Sequence, residues 1–479
     1  MTATRSIADL PGPPRLPLLG NAHQLVHVDR MHTRAEEWAR RYGPIFRLEA
    51  GRRPMVVIGD RDAIDEILRD RPEGYGRPAR MREVLGEVSA PGYPSDAVQW
   101  GVFAAEGEEW KKQRRLVVTA LNTNHLHRYF SIVRTATARL HRRLEAVADD
   151  GGPVEISDLF SSFTVDVTSA LALGHDLNTL EGGDVELQRH IQHMVAMIGR
   201  RIAAPVAYWR WFKLPADRAL DRSAAEIYGA VEDFIERGRS RLEAEPERCE
   251  SPRNLLDGLL AAQKTDGAFS DEEIVYNVLT ILIAGEDTTA HTLGWTVWLL
   301  GSNPEARERL AAEAVEVLGD ERFPAEYEDT ERLTYAEAVL RESMRLKSII
   351  PVLPLEPNRD TTICGTRIPA GTQLLLLLRA AARTAAGRSD DFAPERWLEE
   401  DEETAAPKSL TFGAGPRFCP GRNLAFLESK AALATLARSF RLELDESGGP
   451  VREEYGATMV PRGLRMRVRP AGVAATAPG

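Results

Sequence analysis

Ten residues near the C-terminal end, Phe412-Gly-Ala-Gly-Pro-Arg-Phe-Cys419-Pro-Gly421, constrain the fold of this chain more than any other stretch. Their three glycines and two prolines exclude an ordinary helix or strand. Proline fixes φ and removes a backbone donor, while glycine opens conformations that other residues avoid. From Arg422 onward apolar residues recur at helical spacing. A tight irregular path therefore delivers Cys419 to a helix N-terminus, with Arg417 two residues before it. There the helix dipole and free backbone N–H groups favour a thiolate over a thiol.

A thiolate held by rigid backbone beside a cation suits metal ligation or nucleophilic catalysis. A nucleophile wants a histidine base, and none lies near in sequence, although one can approach in space. A zinc site wants more Cys or His at short spacing, and none is present. One thiolate, an arginine for an anionic group and the ring of Phe412 fit a single axial bond to haem iron. A buried core cysteine is the competing reading. The glycine and proline density speaks against it, because core cysteines normally sit in regular elements.

As it stands from Phe412 to Gly421, Phe-Gly-x-Gly-x-Arg-x-Cys-x-Gly resembles the haem-binding loop of the cytochrome P450 family. The resemblance implies haem b (iron protoporphyrin IX) as cofactor, Cys419 as its iron ligand and Arg417 as a propionate partner. Phe412, Gly413 and Gly421 would then frame the cofactor. Three further segments match the family's motifs in the family's order.

Trp110 and Arg114 lie four residues apart in a helical context, so they share one face. An indole N–H and a guanidinium pointing the same way can both donate to one carboxylate; a core Trp beside a snorkelling Arg is the bland alternative. The pair resembles the family's Trp-x-x-x-Arg motif, which implies that both residues bind a haem propionate. Next to them, Lys111, Lys112 and Arg115 form either a basic patch suited to an acidic ferredoxin or a solvated helix face.

The stretch from Asn277 to His291 reads as a long buried helix with charge in its middle, which is costly unless the charge serves something. Ile281, Ala284, Gly285 and Thr288 fall on one face, with Asp287 beside it. A glycine kink with a threonine bonding back to its own helix also fits. The run Ala-Gly-Glu-Asp-Thr-Thr resembles a family motif in which small residues make room for dioxygen and an acid–alcohol pair delivers protons. That implies a cofactor-side role for Ala284 and Gly285, and catalytic roles for Asp287 and Thr288.

Glu342 and Arg345, three apart on a helix, read alone as a surface pair of little energetic weight. They resemble the family's buried Glu-x-x-Arg pair, joined by an arginine that here is Arg396 of Pro394-Glu-Arg-Trp397. The three are expected to form a structural network behind the cysteine loop. One departure stands out: many members place an Arg or His for a propionate where this chain has Leu355 and Glu356. Arg359 or another donor takes that place, or the propionate is held differently.

Elsewhere, Ile45–Ala50 and Met55–Ile58 around Gly51-Arg-Arg-Pro read as a hairpin, with Asp60 capping the next helix. Glu73 to Gly101 reads as a long irregular segment, and the resemblance implies that it covers one wall of the substrate pocket. His190 and His193 share a helix face but are too few for a metal site. Tyr208-Trp209-Arg-Trp211-Phe212 falls in the family's lid region, as core packing or as a contact with substrate or membrane.

Three scattered cysteines suggest no disulfide framework and suit a reducing cytoplasm. A formal net charge of −11 with no basic tract argues against nucleic acid as a partner. The N-terminus shows no apolar run of signal or membrane-anchor length.

The expected fold is mainly α with small β-sheets (α+β). Residues 1–10 are expected to be a flexible N-terminus, 11–470 one haem-thiolate monooxygenase domain and 471–479 a disordered tail. The family implies insertion of one atom of dioxygen into an apolar small-molecule substrate, with ferredoxin and ferredoxin reductase supplying electrons. Oxidative coupling, desaturation or peroxide-driven oxidation, and a non-enzymatic haem sensor, are the alternatives.

Overall fold

The computed structural model describes residues 5–25, 27–50, 53–88, 101–204, 206–266, 269–384, 390–398 and 410–472. Helices dominate, and small sheets complete the fold. The helices that frame the site are α1 (Arg61–Arg69), α2 (Ala79–Glu87), α3 (Gly107–Ala120), α4 (Thr123–Asp150) and α5 (Ile156–Leu173). They are followed by α6 (Glu186–Ala203), α7 (Pro215–Ala244), α8 (Asp271–Ser302), α9 (Thr334–Leu346) and α10 (Arg422–Ser439).

The central helix is α8, whose 32 residues span about 48 Å at 1.5 Å per residue. Its start is sharply specified. Ser270 Oγ accepts from Glu273 N at 3.2 Å, and Glu273 accepts in return from Ser270 N at 2.7 Å. This reciprocal cap satisfies two otherwise orphaned donors, and Asp271, Glu272 and Glu273 complement the positive end of the dipole. Helix α5 packs along α8. By length and composition α5 would cross a membrane, but most of it is buried in the body of the protein. A continuous apolar core runs from α2 to α10, with Phe160 and Phe163 of α5 at its centre.

Five strands form the largest sheet, in the spatial order Ile45–Ala50, Arg53–Ile58, Gln373–Leu376, Leu353–Pro357 and Tyr75–Gly76. The expected hairpin is present, with Ile45 opposite Ile58. Asp60 caps α1 as expected, accepting from Ala63 N at 2.9 Å.

Two expectations need correction. The stretch 1–10 is not free from Arg5 onward: Arg5 N donates to Gly365 O at 3.0 Å, its Nη2 donates to Cys364 O at 3.0 Å, and Leu10 is buried. The segment from Glu73 to Gly101 is not irregular throughout, because α2 forms inside it. Pro78 sits just before the first turn of α2, where a missing N–H costs nothing, and Val84 and Leu85 bury their side chains. Residues 89–100, and 473–479 of the expected tail, lie outside the described residues. In the aromatic cluster, Trp209 is core: the guanidiniums of Arg80 and Arg201 lie 5.0 and 4.9 Å from its ring centre, and it donates to Glu87 at 2.6 Å. Trp211 and Phe212 are exposed.

Candidate functional site

The cysteine loop is built by backbone geometry. Gly413 and Gly415 adopt φ of 73° and 67°, a region closed to most L-residues. At Gly415 a Cβ would also lie 2.6 Å from Leu68 O and Arg69 Cα, so this glycine lets the loop rest on the end of α1. Cys419 N donates to Phe412 O at 2.8 Å, which closes the loop, and the Phe412 ring packs on Phe426 of α10. The backbone N–H groups of Gly421 and Arg422 point at the Cys419 thiol.

The expectation of a free thiolate needs qualifying. Burial pushes the thiol up, against the pull of those N–H groups and of Arg114. The helix end and the cation are where the sequence puts them, and burial opposes both.

Around the loop the structure gathers cations. Arg114 is buried, donates to Phe418 O at 2.6 Å and stacks on the Phe418 ring. The Arg417 guanidinium lies 4.5 Å from the centre of the buried Trp110 ring, donates to Ala105 O at 2.7 Å and pairs with Glu106. Trp110 and Arg114 thus both reach the cysteine loop, Trp110 at Arg417 and Arg114 at Phe418.

Arg71 and Arg77, which sequence reasoning missed, join this group. Burial, and then Arg417, push Arg71 down to about 10, with Glu106 opposing. Burial, and then Arg71 and Arg417, push Arg77 down to about 9. Three guanidiniums therefore repel one another around the carboxylate of Glu106. Arg417 Nε and Nη1 and Arg71 Nε are buried without a hydrogen-bond partner among the described residues. Orphaned charged donors are expensive. They fit a ligand that brings its own carboxylates, as haem does with its two propionates. Arg359 does not contribute, since it pairs with Asp70 at the surface at 2.9 Å, and Glu356 accepts from Ala79 N.

Helix α8 is buried over most of its length, yet Ile283, Ala284, Gly285, Asp287 and Thr288 are accessible. The predicted Ala284, Asp287 and Thr288 thus share one open window in the helix, whereas Gly285, expected on the same face, packs on Thr168 of α5, where a Cβ would lie 2.8 Å away. Thr288 Oγ1 donates to Ala284 O at 2.8 Å, which leaves its lone pairs outward as acceptors. Behind the window, Thr289 bonds to Glu428 of α10, a carboxyl that burial pushes up to about 8. Gly101 approaches α8 so closely that a Cβ would lie 2.7 Å from Tyr276 O. Val102 N donates to Asn277 Oδ1 at 3.1 Å, and the chain then runs on to Glu106, which pairs with Arg417.

Glu342, Arg345 and Arg396 assemble as expected. Arg345 Nε and Nη2 each donate to Glu342 at 2.8 Å, and Arg396 Nε lies 3.1 Å from Glu342 Oε1. Trp397 Nε1 at 2.9 Å and Ala393 N at 3.1 Å, not anticipated, complete the carboxylate's shell.

Of the three cations in the expected basic patch, Lys111 and Lys112 bond Glu108 and Glu273 at 2.8 and 2.6 Å, and Arg115 is exposed. His190 and His193 both turn to Ser223 Oγ, and no metal-binding cluster of His, Cys, Asp or Glu occurs among the described residues.

A family model described as Cytochrome P450 matches residues 10–467. Protein LUTEIN DEFICIENT 5, chloroplastic, from Arabidopsis thaliana is 28% identical over 473 residues, 95% of this chain and 77% of that protein. Cytochrome P450 71A6 from Nepeta racemosa is 29% identical over 463 residues, 91% and 88% of the two chains. Among solved structures, the crystal structure of cytochrome P450DA heme domain aligns with a TM-score of 0.81 at 25% identity, covering 96% of each chain.

Proposed function

The chain belongs to the cytochrome P450 family of haem-thiolate monooxygenases, and from that premise we propose that it hydroxylates or epoxidises an apolar organic substrate, such as a terpenoid or polyketide of secondary metabolism. Its electrons come from a separate ferredoxin and ferredoxin reductase, in the cytoplasm. The observation that carries this reading is the set of buried, partner-less guanidinium donors beside the Cys419 loop.

Haem, when bound, supplies the iron centre at which dioxygen is activated. Cys419 would ligate that iron, with the N–H groups of Gly421 and Arg422 stabilising its sulfur charge. Arg417, Arg71 and Arg77 provide the positive charge for the propionates, and Trp110 and Arg114 complete the donor set. Phe412, Gly413 and Gly421 hold the loop's shape. Ala284 keeps the α8 window open to a small diatomic molecule, while Gly285 lets Thr168 of α5 close on α8. Asp287 passes protons inward, and the Thr288 oxygen, its own proton committed to Ala284 O, accepts a hydrogen bond at the reacting side. Glu342, Arg345 and Arg396 support the loop from behind and take no part in the chemistry.

The test is a carbon-monoxide difference spectrum of the reduced protein beside that of Cys419→Ala. The reading expects a strongly red-shifted thiolate-type Soret band that disappears in the variant. No haem, or a band indifferent to loss of Cys419, would refute it.

A further inference from the structure

Immediately before Asp287 stands a second carboxyl with no part in the reading above. Glu286 is 2% exposed. It leaves the accessible face of α8 and reaches α6, where Oε1 accepts from Gln188 Nε2 at 3.2 Å and from Gln192 Nε2 at 2.8 Å. The two glutamines are one helical turn apart, on one face of α6. Burial, and then Asp287, push Glu286 up to about 8, so at neutral pH it is mostly uncharged. Its partners are amides and not a cation.

The backbone at this point is gripped from the other side as well. Thr164 Oγ1 of α5 donates to Glu286 O at 3.0 Å. Thr168 presses on Gly285, where a Cβ would lie 2.8 Å away. A leucine at 286 would fill buried space without the cost of desolvating a carboxyl. What an apolar side chain cannot do is tie α8 to α6 by directed bonds.

We propose that Glu286 is a positioning residue that fastens α6 to the 284–288 segment of α8 and so holds Asp287 and Thr288 at the accessible window. The proposal rests on the proton-delivery reading of those two residues. Successive helix residues point about 100° apart, so fixing the direction of residue 286 fixes those of 287 and 288. Any shift of α6 reaches the acid–alcohol pair through Gln188 and Gln192. From α6 the chain runs through exposed Val206, Trp211 and Phe212 into α7, so the tie joins the surface of the protein to its proton-delivery segment.

The experiment compares haem-loaded wild type with Glu286→Leu, Glu286→Gln and the double variant Gln188→Leu/Gln192→Leu, with Thr288→Ala as a control. NADPH, ferredoxin and ferredoxin reductase supply electrons, without added organic substrate. The readout is how dioxygen's electrons divide: two electrons and two protons yield hydrogen peroxide, four and four yield two waters. Amide hydrogen exchange over 186–203 and 284–290 is measured in parallel.

Losing the tie should raise exchange in both segments about tenfold in Glu286→Leu and in the double variant, as expected when a buried hydrogen-bonded link is removed. The peroxide share should rise in both. Glu286→Gln keeps an acceptor for the two glutamines and should stay near wild type in both readouts. Unchanged exchange in Glu286→Leu overturns the proposal, as does faster exchange with an unaltered peroxide share. A Glu286→Gln variant that behaves like Glu286→Leu overturns it too, because the proton and not the position would then matter. If Thr288→Ala leaves the peroxide share unchanged, the proton-delivery reading fails separately, and the exchange data still decide whether Glu286 ties α6 to α8.

Discussion

Replacing Glu342 by leucine tests the network behind the cysteine loop. The carboxylate is fully buried and accepts from Arg345 twice, from Trp397 and from Ala393 N, with Arg396 beside it. Arg345 is itself 3% exposed, so Glu342→Leu strands a guanidinium in the interior. Breaking a buried pair by removing one partner costs about 3–5 kcal/mol. For 479 residues, an unfolding entropy of about 2.1 cal/mol/K per residue gives ~1 kcal/mol/K, so the Tm should fall by about 3–5 °C. Differential scanning calorimetry of the haem-loaded protein at one scan rate reads this directly. Adding Arg345→Met to Glu342→Leu removes the stranded charge and should restore at least half of the loss, because apolar replacement of a buried ion pair is often close to neutral. A single variant within about 1 °C of wild type, or a double variant worse than the single, would refute the assignment of Glu342 as the counter-charge.

Other expectations follow from the same geometry. Gly415→Ala places a Cβ against Leu68 O and Arg69 Cα at positive φ, and should lower the Soret-to-protein absorbance ratio of the purified protein; a wild-type ratio contradicts the loop packing. Arg71→Met removes one orphaned cation and should speed haem transfer to excess apomyoglobin about tenfold, the value of one charge-assisted hydrogen bond of roughly 1.5 kcal/mol. An unchanged rate would take Arg71 out of the propionate set. Glu428 has a folded pKa raised to about 8 by burial, so it favours the folded state below its unfolded value and that contribution is lost as pH rises toward 8. Glu428→Gln should therefore flatten the fall in stability between about pH 5 and 8, by up to roughly 1.4 kcal/mol per pH unit, in urea titrations run across that range. Parallel wild-type and variant curves would count against a protonated Glu428.

What the sequence determined by itself was local or carried by contiguous motifs. The loop at Cys419 needs glycine at 413 and 415 and proline near it, and no partner elsewhere is required to see that. The Ile45–Ile58 hairpin alternates around its own turn, whereas the Ser270–Glu273 cap that starts α8 is a local signal that the expected helix, taken from Asn277, did not include. The mainly helical fold and the family membership could be read from the same contiguous patterns.

Tertiary structure decided the rest, because the deciding partners are far apart in the chain and nothing in local spacing encodes them. Arg71 and Arg77 lie over 300 residues from Arg417, and only folding makes three guanidiniums share Glu106. Glu286 looks like an ordinary neighbour of Asp287 until α6 brings Gln188 and Gln192 to it. Burial is likewise collective: local spacing alone reads Glu342–Arg345 as a surface pair, and it was the family resemblance that gave its interior place. Burial also raised the Cys419 thiol against the helix end that the sequence had placed there, since desolvation depends on everything packed around a group and not on its neighbours in the chain.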